Sequence, residues 1–402
     1  MSERLRVAIS PCPNDTFAFA GLLERASDSG GLDLDFELHD VEQLNQRLAR
    51  GELDAAKASF HAALRLSRET AVLSAGSALG FGVGPLLLAR KHAPPLGPTA
   101  RVLCPGEWTT ASLLFQLFHG PAKVEQAVFS EIMPALEAGR ADYGVCIHEG
   151  RFTWRERGLA CVEDLGSSWE AAFGCALPLG GILFRKSRGA QLAQRLALAI
   201  EGSIAWARAH PERARAVMRR HAQELSDEVL AAHVDLYVNA QTLCLSHAAR
   251  RALDTLSIQA KRLGLVDESA PALEIWGRRE PLRLFHVLRR EDADLLEGPA
   301  QSFRPASLAS EGFVHLSFES QVDATLKAHF DPVDELVLLE IDADAAGAAL
   351  RYETSRGGQL FPHLYRELRR SDVVARWTLE PAGAAWSSDS PPTRARARVD
   401  GD

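Results

Sequence analysis

The sequence predicts an α/β protein in two parts, a two-lobed α/β unit over residues 1–276 and a separate small α+β domain over 281–380. Three observations predict it. Up to about residue 185, short apolar runs alternate with amphipathic segments, the pattern of a parallel sheet with crossover helices. From about 190 to 265 apolar residues recur at i, i+3 and i+4, which is helical periodicity. Around 275–281 the pattern resets and strand-like runs return.

Taken in order, the expected strands of the first unit are 6–10, 34–38, 55–59, 85–89, 100–104, 143–148 and 181–184. Helices are expected at 16–26, 41–50, 110–118 and 130–138. In the helical stretch, Pro211 opens a new helix, and Ser226 and Ser246 stand where N-caps are expected. A parallel α/β start followed by a helical return suggests one lobe formed from both ends of the unit and an inner lobe at about 92–185. The second domain is expected to hold strands at 282–288, 313–318, 335–341 and 377–379 with one helix at 321–330. At about 100 residues it is large enough for its own core. The tail 383–402, with Ser-Ser-Asp-Ser-Pro-Pro and Arg-Ala-Arg-Ala-Arg, has the composition of a disordered segment.

Composition narrows the function classes. The chain of 402 residues is 46% hydrophobic and 24% charged, as in ordinary globular proteins. Its net charge of −8 argues against a nucleic-acid partner, which would call for a basic surface. The six cysteines, Cys12, Cys104, Cys146, Cys161, Cys175 and Cys244, form no C-x-x-C pair and no zinc-spaced cluster, so reduced thiols are expected. The N-terminal apolar run Val7-Ala8-Ile9 is too short for a signal peptide, and no window approaches ~18 uninterrupted apolar residues. Cytoplasmic residence without a membrane partner is the expectation.

In open α/β sheets ligands gather at the carboxyl ends of strands. Four such junctions carry polar residues. The first is Ser10-Pro11-Cys12-Pro13-Asn14-Asp15-Thr16, where the prolines fix a turn and Asn14 or Asp15 can cap a helix. The second is Lys57-Ala58-Ser59, where alternation places both polar side chains on one face. A lysine there needs an anionic partner, either a substrate or a carboxylate of the protein. The third is Pro105-Gly106-Glu107-Trp108-Thr109-Thr110-Ala111-Ser112, leading into an apolar helix whose exposed amides suit a carboxylate or phosphate. Simple capping by Thr109 competes with that reading. The fourth is Ile147-His148-Glu149-Gly150, where Gly150 permits a sharp turn that projects the imidazole into a cleft. A structural histidine is the bland alternative.

No G-x-x-x-x-G-K-[ST], H-E-x-x-H or G-x-S-x-G motif occurs, and Gly80-Phe81-Gly82-Val83-Gly84 lacks dinucleotide spacing. Proton-transfer chemistry is favoured over metal- or nucleotide-dependent chemistry.

Taken together, Ser10-Pro11-Cys12-Pro13-Asn14-Asp15-Thr16-Phe17, Lys57-Ala58-Ser59, Ala78 through Leu87, Pro105-Gly106 with Thr109-Thr110-Ala111, Ile147 through Thr153 and Pro178-Leu179-Gly180-Gly181-Ile182 resemble the 1,4-dihydroxy-6-naphthoate synthase family. That family serves the futalosine route to menaquinone, and the likeness covers residues 4–276. The resemblance implies a two-lobed fold like type II periplasmic binding proteins. It also implies cleavage of a small carboxylated substrate, cyclic dehypoxanthine futalosine, with no metal or other cofactor. His148 is then the expected proton acceptor. Asn14, Asn45, Lys57, Ala58, Ser59, Thr109, Thr110 and Ala111 are the expected substrate-binding residues. A cytosolic small-carboxylate binder or sensor on the same fold is the alternative.

The second domain resembles a small bacterial domain family similar to ADP-ribosyltransferases and RNA 2'-phosphotransferases. Leu284-Phe285-His286-Val287, Glu311 through Ser317 and Leu360 through Tyr365 carry that likeness. His286, His315 and His363, near strand ends, are candidates to line an NAD-like pocket, with core histidines as the competing reading.

Overall fold

Three runs of the first unit, Arg4–Ile9, Asp33–Leu38 and Ala55–Ser59, pair in parallel with Arg4–Ile9 in the middle. Val7, Ala8 and Ile9 are fully buried, as in a strand covered on both faces. The computed structural model describes residues 4–120, 122–148, 150–221, 226–278, 282–330, 335–379 and 398–399. It divides the chain into two units, 1–279 and 280–402.

The first sheet is mixed where apolar runs alone predicted a parallel one. Leu177–Arg185 runs antiparallel between Ala55–Ser59 and Thr70–Leu73, and Ala78–Gly80 pairs antiparallel with its first half. Ile275–Trp276 adds in parallel to Thr70–Leu73, completing seven strands. A run buried on both faces carries no mark of its direction, so this return strand was not legible as antiparallel.

The inner lobe holds five strands in the order Ala160–Asp164, Leu86–Ala89, Tyr143–Cys146, Arg101–Cys104, Lys123–Gln126. Its sheet therefore spans 86–164, whereas the sequence placed the inner lobe at 92–185. Leu86–Ala89 pairs with Tyr143–Cys146, while Gly180 to Phe184 pair with Ser59 to Ala55 of the other sheet.

The two connections between lobes touch each other. A Cβ added at Gly84 would lie 2.2 Å from the Cα of Gly166, so glycine at both positions permits the backbones to cross. Arg151 fastens this crossing, donating to the Gly84 carbonyl at 2.7 Å and pairing with Asp164 at 2.6 Å. Asp164 in turn caps the helix Leu165–Phe173.

The helix expected at 16–26 is two short ones, Pro13–Ala18 and Ala20–Leu23, joined at Phe19. Val41–Ala49, Thr110–His119 and Phe129–Glu137 lie where helices were expected. Pro211–His221 begins at its proline, and Ser226 and Ser246 accept the Val229 and Ala249 amides at 3.4 and 3.1 Å. Among the described residues no helix is long and apolar enough to cross a membrane.

In the second unit, Ser317–Phe318, Leu284–Arg289, Leu336–Ile341, Val373–Leu379 and Arg398–Val399 form an antiparallel sheet. Phe285, Val287, Leu336 and Leu338 form its core with Val322 and Leu326 of the helix Val322–His329. The strand expected at 313–318 is divided between two sheets, Val314–His315 pairing with Leu360–Leu364 and Ser317–Phe318 with Leu284–Arg289. Apart from 398–399, the tail 383–402 lies outside the described residues.

Candidate active site

The four polar junctions meet at one cleft lined from both lobes. At its floor Asp15 gathers three partners. Ser10 Oγ donates to one carboxylate oxygen at 2.7 Å, Asn14 Nδ2 donates to the other at 2.8 Å, and Lys57 Nζ lies 2.7 Å from that second oxygen. Lys57 also donates to the Gly76 carbonyl at 3.1 Å. Of the two partners open to this lysine in the sequence, a carboxylate of the protein is present. Asp15 is thus a buried counter-ion, and the N-cap position belongs to Cys12.

Ala58 and Ser59 line the cleft, but Asn45 does not. Asn45 is fully buried, accepting the Ser59 amide at 3.0 Å and donating to Glu42 at 3.1 Å. Its role is to hold the backbone of the wall. Glu42 also accepts the Trp108 amide across the lobes at 3.3 Å, and burial holds its carboxyl above the usual range.

Thr109, Thr110 and Ala111 also line the cleft. Thr109 Oγ1 accepts the Ser112 amide at 3.2 Å, so the expected cap is present. Thr110 Oγ1 donates to the Leu179 carbonyl at 2.7 Å and accepts the His61 amide at 3.4 Å. With that hydroxyl occupied, the backbone amides of Thr110 and Ala111 remain at the start of a ten-residue helix. This is where an anion is held most readily.

His148 also lines the cleft, with a left-handed φ of +56° that a β-carbon makes costly. Cys12 Sγ lies 3.3 Å from its Nδ1, and Phe129 meets the ring edge-on at 4.9 Å. One cleft therefore contains an imidazole with a polar partner, the start of a helix and a buried ion pair.

Residues 5–262 match the family described as menaquinone biosynthesis. The chain belongs to that family. It is 42% identical over 267 residues to 1,4-dihydroxy-6-naphthoate synthase of Thermus thermophilus, covering 66% of this chain and 97% of that enzyme. The counterpart from Streptomyces coelicolor is 40% identical over 278 residues, covering 67% and 97%. An alkanesulfonate-binding protein of Xanthomonas axonopodis, 11% identical, covers 69% of this chain and 100% of its own with a TM-score of 0.51. That likeness establishes the periplasmic-binding-protein-like fold. Residues 289–376 match a second family, described as a protein of unknown function.

This menaquinone-biosynthesis enzyme also has cleft residues that sequence reasoning missed. Tyr237 and His233 line the cleft from the helix Asp227–Tyr237. Their spacing with Leu230 and Val234 marks one buried face of that helix, but nothing in the spacing says that the face meets a cavity. The contact of Cys12 with His148 joins residues 136 apart and had no sequence signal.

In the enzyme's second unit the three candidate histidines lie close together. His286 Nδ1 donates to the His315 carbonyl at 2.8 Å, and burial pushes its pKa down to about 4. The His315 and His363 rings meet edge-on at 5.3 Å. His363 Nδ1 lies 2.9 Å from the Glu353 carboxylate, and Phe313 stacks on the His363 ring at 4.0 Å. His286 and His363 are both buried, as core histidines are. Among the described residues of the chain, no group of three or more His, Cys, Asp or Glu side chains is placed to hold a metal.

Proposed function

We propose that the enzyme is a carbon–carbon lyase that cleaves cyclic dehypoxanthine futalosine to 1,4-dihydroxy-6-naphthoate in the cytoplasm, with no cofactor. The observation that carries this reading is that His148 and the Thr110–Ala111 helix start line the same cleft. The substrate carboxylate docks on the two amides, where the helix dipole favours negative charge. That contact orients the sugar-derived ring toward His148.

His148 then accepts a hydroxyl proton of the substrate. The electron pair left on oxygen forms a carbonyl as the adjacent carbon–carbon bond breaks. The pair from that bond flows into the ring system that becomes the aromatic naphthoate. Positioned general bases contribute about 10²- to 10⁴-fold to such steps. Lys57 and Ser59 complete the floor of the cleft.

The test is to incubate the full chain with cyclic dehypoxanthine futalosine and follow the product by chromatography. Catalytic formation of 1,4-dihydroxy-6-naphthoate is expected. Tight binding with no product would instead identify a small-carboxylate binder or sensor on the same fold.

A further inference from the structure

His233 has a ring that the mechanism above leaves unused. It is 1% exposed, yet it lines the same cleft as His148 and Thr110. Neither ring nitrogen has a hydrogen-bond partner among the described residues. Its neighbours are aromatic, with the Tyr237 ring at 4.5 Å and the Phe152 ring at 5.9 Å. The Tyr237 hydroxyl donates to the Val83 carbonyl at 3.3 Å. Buried polar groups are nearly always paired, and an unpaired one beside a cavity points to a partner that arrives with the ligand.

We propose that His233 is a substrate-binding residue that pairs with a neutral hydroxyl or carbonyl group of the substrate. This rests on reading the cleft as the lyase site. Burial above all pushes the imidazole down to about 3, so it stays neutral at physiological pH. A neutral imidazole offers one N–H donor and one acceptor. That pair suits the hydroxylated, sugar-derived end of the molecule, while the carboxylate occupies the helix amides.

The test compares the full-length protein with His233→Phe, which keeps a planar ring against Phe152 and Tyr237 but removes both nitrogens. KM for cyclic dehypoxanthine futalosine should rise about 10-fold, with kcat within about threefold, the loss expected for one hydrogen bond in a buried site. His233→Asn, which restores a donor and an acceptor, should recover part of the loss. The melting temperature of His233→Phe should hold or rise, because no hydrogen bond within the protein is lost.

A second measurement follows the His233 ring nitrogens by NMR in ¹⁵N-histidine-labelled wild type as the compound is added. A shift on saturation supports the inference even if no naphthoate forms, in which case the lyase reading alone fails. Unchanged KM in His233→Phe, or ring signals that do not move when the compound is bound, overturns the inference. A compound that does not bind the wild type overturns both.

Discussion

At the scale of single residues, the proposed catalysis depends on how the His148 ring is held. Its backbone is in the left-handed region, and its Nδ1 contacts the thiol of a residue 136 positions away. A histidine acts as base through one nitrogen while the other fixes the ring's orientation. On the proposed mechanism Cys12 is a positioning residue for His148. Cys12→Ala should lower kcat about 3- to 10-fold, the worth of one modest hydrogen bond, with KM within about twofold. Cys12→Ser should recover part of that loss by restoring an acceptor for the Nδ1 proton. A kcat unchanged in Cys12→Ala, with steady-state rates measured at saturating substrate, would show that the contact does not matter. Sequence reading reached His148 through its place after an apolar run, but its partner depends on two loops meeting across the cleft. Asp15 illustrates the same limit. Beside a proline turn it resembled a cap, and its pairing with Lys57 appears only when the first and third strands stand side by side.

At the scale of elements, the strand ends carried most of what could be read. Ala55–Ser59 is a strand over the predicted bounds, and Thr110–His119 begins at the predicted cap. Strand direction was not readable, because Leu177–Arg185 is an apolar run whose antiparallel pairing comes from the chain's return out of the inner lobe. The glycine-rich stretch 80–84 has a steric reason at its end. Gly84 crosses Gly166 with no room for a side chain. Gly84→Ala should destabilise the first unit by about 1–3 kcal/mol, the usual range for overpacking, because backbone on both sides must move. Thermal or denaturant unfolding of the full chain would read this, and a midpoint equal to wild type would mean that the crossing yields easily.

At the scale of the whole molecule, the first unit combines two sheets around a cleft, and every residue lining that cleft belongs to it. The two-part organisation was legible because apolar periodicity changes twice along the chain. The extent of the inner lobe was not, since sheet membership depends on pairings between distant strands. The central claim is that an imidazole at 148 takes the proton while the helix start at 110 holds the carboxylate. The most direct measurement is single-turnover cleavage of cyclic dehypoxanthine futalosine by His148→Ala, with substrate affinity determined on the same preparation. The rate should fall at least about 100-fold while the dissociation constant stays within about threefold of wild type. A cleavage rate equal to wild type would contradict the claim.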